Sequence, residues 1–271
     1  MIPKIIHYTW FSDEPIPLHI QELMKTWKEK LPDYEFILWD GKKLAEINNT
    51  FANEAASVGK WAFAADYIRC YAVYHYGGIY LDTDIEVFKS FDPFLNCRMF
   101  IGGEANFHER PKKRYLTSHA FGAEKNHPFL RDCLEYYKDR HFIDSYYKEL
   151  PIDMQYDMTV LPIIQGRIAV NLYGYNANGY IDKKQILKED IHVYPSDYFD
   201  CPRYHTMKNV ICIHRALGSW RVNADSNQAP DYSSTNPYKK GIKWFIYLLY
   251  DKFNFIIGKY LHIQLIKVGN L

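Results

Sequence analysis

Apolar segments with the pattern of β-strands alternate with longer segments of helical spacing along the first part of the chain. Lys4–Phe11 and Tyr34–Trp39 are rich in β-branched and aromatic residues, as strands are. Between them, Leu18–Leu31 carries apolar residues three and four positions apart and stops before Pro32. Strands that alternate with helices form largely parallel sheets, whose ligands bind beyond the carboxyl ends of the strands. This order of segments therefore predicts an α/β fold with a functional site at that edge of the sheet.

The same signals predict the other elements. Residues 41–57 and 60–76 have helical spacing, and the second helix should end at Gly77–Gly78, where a left-handed cap carries no steric cost. Further strands are expected at Ile79–Phe88, Met99–Gly103, His119–Ala123, Ile191–Tyr194 and Val210–His214. The composition changes after Pro237, which divides the chain into a main domain, residues 1–237, and a helical tail, residues 238–271.

Length and composition exclude several classes of protein. With 271 residues, 48% of them hydrophobic and 24% charged, the chain can bury a sizeable core, which excludes disordered, collagen-like and small disulfide-stapled proteins. A net charge of +1 gives no overall attraction to nucleic acid, so none is expected as a partner. The five cysteines have no CxxC spacing, which argues against a disulfide framework and a structural zinc site. Because no secretory signal and no uncharged run of about 20 residues is visible, we expect a cytoplasmic protein.

Two carboxylates, Asp82 and Asp84, flank Thr83 directly after a glycine pair and a short apolar segment. On extended backbone, side chains at positions i and i+2 project to the same side. Two buried carboxylates that face one way repel each other and lose hydration, so a cation must compensate them. A divalent ion that leaves coordination positions open for diphosphate oxygens is the economical answer. A solvated acidic turn is the alternative, but the apolar residues on both sides favour a metal site.

Three other residues are candidates for the same site. Asp66 and Arg69 share one face of the expected helix 60–76, and their apolar neighbours favour a buried, ligand-facing pair over a surface ion pair. His214 ends a late apolar segment, where an isolated histidine is usually structural. With the acidic pair upstream it is also a candidate third metal ligand, because imidazole binds Mn²⁺ as well as Zn²⁺.

The segment Ala64–Glu86, AADYIRCYAVYHYGGIYLDTDIE, resembles the signature of glycosyltransferase family 32, the DXD-type sugar transferases. The catalytic domains of the clostridial glucosylating toxins share this signature. Three further stretches agree, IPKIIHYTWF, WKEKLPDYEFILWD and IHRALGSW, so that the resemblance spans roughly residues 2–221. It implies a GT-A fold, which is a Rossmann-like nucleotide-sugar-binding α/β sheet, mixed but mostly parallel and flanked by helices. It also implies a reaction that retains the anomeric configuration.

The resemblance further implies roles for residues at matching positions. Asp84 would bind the metal directly, and Asp82 would bind it through water and contact the ribose or the sugar. Asp66 would hold hydroxyl groups of the donor sugar, and Arg69 would reach the sugar or the phosphate. The proposed catalytic set is therefore Asp66, Arg69, Asp82 and Asp84, and the proposed metal ligands are Asp82, Asp84 and His214.

Other candidate positions lie around the nucleotide. Trp10 corresponds to the residue that stacks on uracil in similar enzymes, and His7 and Tyr8 share its edge, although a core position is the alternative for Trp10. Tyr80 could contact the donor or belong to the core. A lid over the diphosphate is expected from Ser219, Trp220 and Arg221. Candidates without an assigned role are Glu104, Asn106, His108 and His119.

The tail, residues 238–271, is basic and amphipathic. It holds six lysines and one acid, Lys239, Lys240, Lys243, Lys252, Lys259 and Lys267 against Asp251. Its broad apolar face contains Trp, Phe, Ile and Leu side chains, a combination that suits the surface of an anionic membrane. The alternative is a pair of helices packed on the main domain with the lysines pointing outward.

These observations predict a retaining, Mn²⁺- or Mg²⁺-dependent glycosyltransferase. It would transfer a hexose, with galactose as the first expectation, from a UDP-sugar to a glycan acceptor, expected to be polyprenyl-diphosphate-linked, in bacterial surface polysaccharide synthesis. Residues Met158–Ile163 lack the glycine–proline pair of many relatives, so the resemblance does not extend to the acceptor side. The alternatives are a metal-dependent hydrolase or nucleotidyltransferase, and a non-enzymatic carbohydrate-binding protein at a membrane.

Overall fold

A computed structural model describes residues 1–104, 114–144, 149, 151–178, 182–200 and 207–217 of the chain. The predictions for Asn106, His108, Ser219, Trp220, Arg221 and the tail, residues 238–271, lie outside these residues. None of the described helices combines the length and the apolar character that a membrane-spanning helix needs.

Strands and helices alternate along the described residues. The strands are β1 Ile5–Thr9, β2 Glu35–Trp39, β3 Gly78–Leu81, β4 Ile85–Val87, β5 Met99–Gly103, β6 Leu116–Ala123, β7 Gln185–Leu187, β8 Ile191–Tyr194 and β9 Cys212–His214. The α-helices are α1 Leu18–Lys30, α2 Gly41–Ile47, α3 Thr50–Ser57, α4 Trp61–Tyr76, α5 Pro128–Tyr136, α6 Leu161–Ile168 and α7 Ser196–Phe199. Of these, β7, α5, α6 and α7 were not among the predicted elements.

Within the described residues, seven strands form one sheet in the order β2-β1-β3-β6-β5-β8-β7. Strand β1 pairs in parallel with β2 and β3, and β5 pairs in parallel with β8. Strands β6 and β7 are antiparallel to their neighbours, so five of the seven strands run in one direction. The predicted mixed, mostly parallel sheet flanked by helices is confirmed. The carboxyl ends of β1, β3, β5 and β8 consequently meet at one edge.

The segment Ile79–Phe88, predicted as one strand, is two strands in different sheets. Strand β3 belongs to the large sheet, whereas β4 pairs with β9 in a separate two-stranded sheet. The chain turns between them because the amide of Ile85 donates to the carbonyl of Asp82 at 3.1 Å. The single-strand prediction is therefore wrong, and the two acids occupy the turn that joins the sheets.

The predicted helix over residues 41–57 is also two helices. Asn48 adopts a left-handed conformation, with φ of 54°, and ends α2. The side chain of Asn49 then accepts a hydrogen bond from the amide of Ala52 and caps the start of α3. Asparagine tolerates left-handed backbone and caps helices well, so the two asparagines break the helix.

Helix α4 ends at Gly77, as predicted, and leads directly into β3 through Gly78. Gly78 has φ of 109°, and a Cβ atom there would lie 2.7 Å from the carbonyl oxygen of Ile5. The close approach lets α4 pack on the sheet with its first turns at the carboxyl edge. Apolar clusters cover both faces of the sheet, one around α4 and the other around Trp27 of α1.

Candidate functional site

Three side chains from the two sheets converge at the carboxyl edge. Asp82 and Asp84 lie in the turn after β3, and His214 ends β9, which pairs with β4 so that Ile85 faces His214. One ligand atom from each of Asp82, Asp84 and His214 lies within 4.8 Å of the other two. The antiparallel pairing of β4 and β9 thus brings together residues that are 130 positions apart in the sequence.

Hydrogen bonds hold Asp84 and His214 in place. His214 Nε2 lies 3.3 Å from Asp84 Oδ1, and the amide of Leu217 donates to Asp84 Oδ2 at 3.0 Å. Burial raises the pKa of Asp84, but the hydrogen bonds from His214 and the Leu217 amide together with the charge of His214 lower it on balance. Burial likewise lowers the pKa of His214, but the hydrogen bond to Asp84 and the nearby carboxylate charges together raise it to about 9.

This cluster fits a divalent cation. Burial raises the pKa of Asp82, although Arg69 opposes the rise. The ligand atoms of the three residues are close enough for one ion, and a set of two carboxylates with one imidazole suits Mn²⁺. The structure therefore brings the three predicted ligands together, and their binding of a metal stays a prediction.

Asp66 and Arg69 form a buried pair next to the cluster. Arg69 Nη2 lies 3.4 Å from Asp66 Oδ1 and 3.2 Å from Asp82 Oδ1. Their side chains are only 9% and 5% exposed, which excludes a surface ion pair. Arg69 also donates to the carbonyl of Ser118 at 2.6 Å, and Asp66 Oδ2 accepts from the amide of Leu161 at 2.9 Å. Burial raises the pKa of Asp66 to about 6, against the opposing charge of Arg69.

Tyr80 lies beneath the site and orients Asp82. Its hydroxyl donates to Asp82 Oδ1 at 2.8 Å, so the hydroxyl of Thr9, 3.0 Å away, donates to the tyrosine oxygen. The Arg69 guanidinium lies 4.7 Å from the centre of the Tyr80 ring. Because Tyr80 is fully buried, its structure favours the core alternative over contact with a ligand.

Trp10 follows the carboxyl end of β1, beside β3. Its amide donates to the carbonyl of Trp39 at 3.1 Å, and its indole Nε1 donates to the carbonyl of Glu14 at 2.8 Å. The side chain is half-buried. Trp10 therefore follows β1 as expected, and its stacking on a nucleotide base stays a prediction.

The side chains of His7 and Tyr8 lie in the layers that cover β1. The ring of His7 is fully buried, accepts from Trp39 Nε1 at 3.2 Å and hydrogen-bonds the carbonyl of Gly77 at 2.8 Å. Burial lowers the pKa of His7 to about 4. Tyr8 packs edge-on against Trp27 at 5.7 Å. The alternation along β1 directs the two side chains to opposite faces, and contacts of their backbone with a nucleotide base stay a prediction.

A family comparison bears on the acidic turn. Residues 17–101 match the family described as "Glycosyltransferase sugar-binding region containing DXD motif". This stretch, called the DXD region below, is similar to that family over less than half of the chain. It contains Asp66, Arg69, Asp82 and Asp84, the residues that the structure brings together. The resemblance stated from the sequence is supported at this level, and a bacterial polysaccharide type is not.

About half of the chain is similar to curated proteins from yeasts. The chain is 33% identical over 133 residues to inositol phosphoceramide mannosyltransferase 3 of Schizosaccharomyces pombe, covering 48% of this chain and 35% of that protein. It is 30% identical over 156 residues to mannosyl phosphorylinositol ceramide synthase SUR1 of Saccharomyces cerevisiae, covering 54% and 38%. The chain thus spans little more than a third of the length of these relatives.

Two solved structures to which the chain is weakly similar are described as follows. The PaToxG glycosyltransferase superposes with a TM-score of 0.44 and 18% identity, over 62% of this chain and 69% of that one. The galactosyltransferase LgtC superposes with a TM-score of 0.41 and 11% identity, over 91% and 95%.

Residues outside the DXD region also lie around the cluster of Asp82, Asp84 and His214. His119 was a candidate without a role, and its ring stacks on that of His214 at 4.2 Å between centroids. Glu104 follows β5 at the same edge, and burial raises its pKa to about 7. Sequence reasoning missed Asp200, whose carboxylate lies 3.6 Å from His119 Nε2. Its position after the short helix α7 carries no signal in the sequence.

Proposed function

We propose that this chain is a metal-dependent glycosyltransferase with a GT-A fold that transfers a hexose from a nucleoside diphosphate sugar to a glycan acceptor, with retention of configuration. The observation that carries the proposal is the convergence of Asp82, Asp84 and His214 at the carboxyl edge, with two of the three inside the DXD region. The buried Asp66–Arg69 pair beside them supports the same function.

The metal, Mn²⁺ or Mg²⁺, would be held by Asp82, Asp84 and His214. When bound, it would neutralise charge on the departing nucleoside diphosphate. Arg69 Nη2 and the hydroxyl of Tyr80 both contact Oδ1 of Asp82 and so hold that carboxylate in place. Asp66 and Arg69 would hold the donor sugar, since their charges are buried at the same place. The chain thereby contributes position and charge, and no covalent nucleophile is required.

The donor is proposed as UDP-galactose, the expectation from the sequence, with Trp10 stacking on the base. The names of the yeast relatives make a mannosyl donor the second candidate. If galactose is the sugar transferred, the proposed process is glycan synthesis at a bacterial surface. A metal-dependent hydrolase is the rival, and it would release free sugar in place of a glycosylated product.

The acceptor is proposed to be lipid-linked, such as a polyprenyl-diphosphate glycan. Leu161, whose amide binds Asp66, follows a segment with exposed apolar side chains, Met154 at 64% and Met158 at 49%. Three residues of backbone span at most about 11 Å, so Met158 lies close to the donor pair. The yeast relatives are named for inositol phosphoceramide, which also contains a lipid.

A donor panel tests the function. The full chain is mixed with Mn²⁺, a polyprenyl-diphosphate-linked glycan as acceptor and, in separate reactions, UDP-galactose, UDP-glucose, UDP-N-acetylglucosamine and GDP-mannose, and the released nucleotide and the glycosylated acceptor are measured with and without EDTA. We expect release from one donor, stopped by EDTA, because the diphosphate needs the metal. The same reactions with Asp92→Asn, an exposed acid away from the edge, should be unchanged. Metal-independent release, or no release from any donor, would contradict the proposal.

The tail is proposed to bind an anionic membrane on its cytoplasmic side, which would bring the site close to a lipid-linked acceptor. Each lysine near an anionic surface contributes about 1 kcal/mol, and apolar burial adds to it. We expect the full chain to sediment with vesicles that contain phosphatidylglycerol and to remain in solution with neutral vesicles. Truncation after Pro237 should remove the binding. If the full chain does not bind anionic vesicles, the proposal is wrong.

A further inference from the structure

His119 contacts both parts of the candidate metal site, the acidic turn after β3 and the histidine at the end of β9. It lies in β6 of the large sheet, and its carbonyl accepts the amide of Asp82 at 2.9 Å. Its ring stacks on the ring of His214, which belongs to the two-stranded sheet, at 4.2 Å and an interplanar angle of 20°. The backbone of His119 thus holds one predicted ligand, and its side chain contacts another.

The orientation of the His119 ring is itself determined by its surroundings. The residue is only 6% exposed, and Nε2 donates to the carbonyl of Phe199 at 3.1 Å. The carboxylate of Asp200 lies 3.6 Å from the same nitrogen, and the carbonyl of Asp200 accepts the amide of His214 at 3.0 Å. A buried ring that is held at one edge presents a fixed face to its neighbour.

That fixed face restricts where His214 can lie. Asp84 contacts His214 at Nε2 from one direction, and the His119 ring covers one face of the imidazole. The β4–β9 pairing places His214 opposite Ile85, whose amide donates to the carbonyl of Asp82. These are backbone contacts, and the stacked ring of His119 adds a constraint on the imidazole of His214 itself.

We propose that His119 is a positioning residue, which sets the gap between His214 and the two aspartates by ring stacking and does not bind the metal itself. The proposal rests on the metal site of the proposed function. Its rival follows from the same geometry, because ligand atoms of His119, Asp200 and His214 also lie within 4.8 Å of one another. In the rival reading, His119 would be a ligand of a second ion.

Two substitutions separate stacking from hydrogen bonding. His119→Phe keeps a flat ring against His214 but removes every nitrogen. His119→Asn keeps a donor for the carbonyl of Phe199 but removes the ring. Asp84→Asn, a change in a proposed ligand, is the reference for a damaged site. Mn²⁺ binding to each metal-free full chain is titrated by electron paramagnetic resonance, and melting of the metal-free proteins is followed by circular dichroism.

We expect one Mn²⁺ per wild-type chain, affinity within about threefold of wild type for His119→Phe, and affinity about 10- to 100-fold weaker for His119→Asn, as is usual when a residue that orients a metal ligand is removed. The metal-free melting temperatures should not follow this order. If both variants lose affinity equally, or if the wild type binds two ions and His119→Phe binds one, His119 is a ligand and the proposal is wrong. A wild-type chain that binds no Mn²⁺, while remaining folded, would overturn the metal site of the proposed function as well.

Discussion

Trp10 is the residue through which the nucleotide base would be recognised. Its backbone extends the pairing of β1 with β2, and its indole is half-buried with Nε1 bound to the nearby carbonyl of Glu14. The hydrogen bond of the indole is local, and the side chain is only half-buried. An indole face at the carboxyl edge of a sheet is suited to stacking on a flat base.

Replacing Trp10 by Ala should raise the KM for the donor. Stacking on a base contributes about 1–3 kcal/mol, which corresponds to roughly 5- to 150-fold in affinity. The melting temperature should change little, because the indole is partly exposed. Trp61→Ala is the matched control, since Trp61 is 41% exposed and packs on Phe11. A Trp10→Ala protein with an unchanged KM and a melting temperature several degrees lower would show that the indole is structural.

At the level of single elements, hydrophobic patterning predicted the strands that form the centre of the sheet. The expected segments at Met99–Gly103 and Ile191–Tyr194 coincide with β5 and β8. Patterning could not show that Ile79–Phe88 divides between two sheets, because both halves are apolar and only the turn at Asp82 separates them. The broken helix at Asn48 was missed for a similar reason, since a capping signal inside a periodic segment competes with the periodicity.

The elements also explain which site residues the sequence could predict. Asp66 and Arg69 share a helix face, and Asp82 and Asp84 share a turn, so local spacing was enough to group each pair. The stacking of His119 on His214 and the approach of Asp200 depend on pairing between distant strands. No local pattern records such contacts. The full burial of the His7 ring likewise depends on packing against other elements, which the pattern of β1 alone does not record.

At the level of the whole molecule, the sheet topology collects the candidate residues at one edge. The turn after β3, the end of β5, the start of β6 and the end of β9 all contribute, although they come from two sheets. The DXD region supplies the acids, and the later part of the chain supplies His119, Asp200 and His214. If the site binds a metal, substitution of a ligand in either part of the chain should therefore weaken metal binding.

The central claim is that Asp82, Asp84 and His214 hold a metal which in turn holds the nucleotide. Calorimetric titration of UDP and of GDP into the full chain, with and without Mn²⁺, tests it for the wild type and for Asp84→Asn. We expect the wild type to bind one of the nucleotides only with Mn²⁺. The Asp84→Asn affinity should fall by on the order of 100-fold or more, since even residues that merely orient a ligand matter about 10- to 100-fold. The claim would be contradicted if the nucleotide affinity were the same with and without Mn²⁺. It would also be contradicted if a folded Asp84→Asn protein bound the nucleotide as tightly as the wild type.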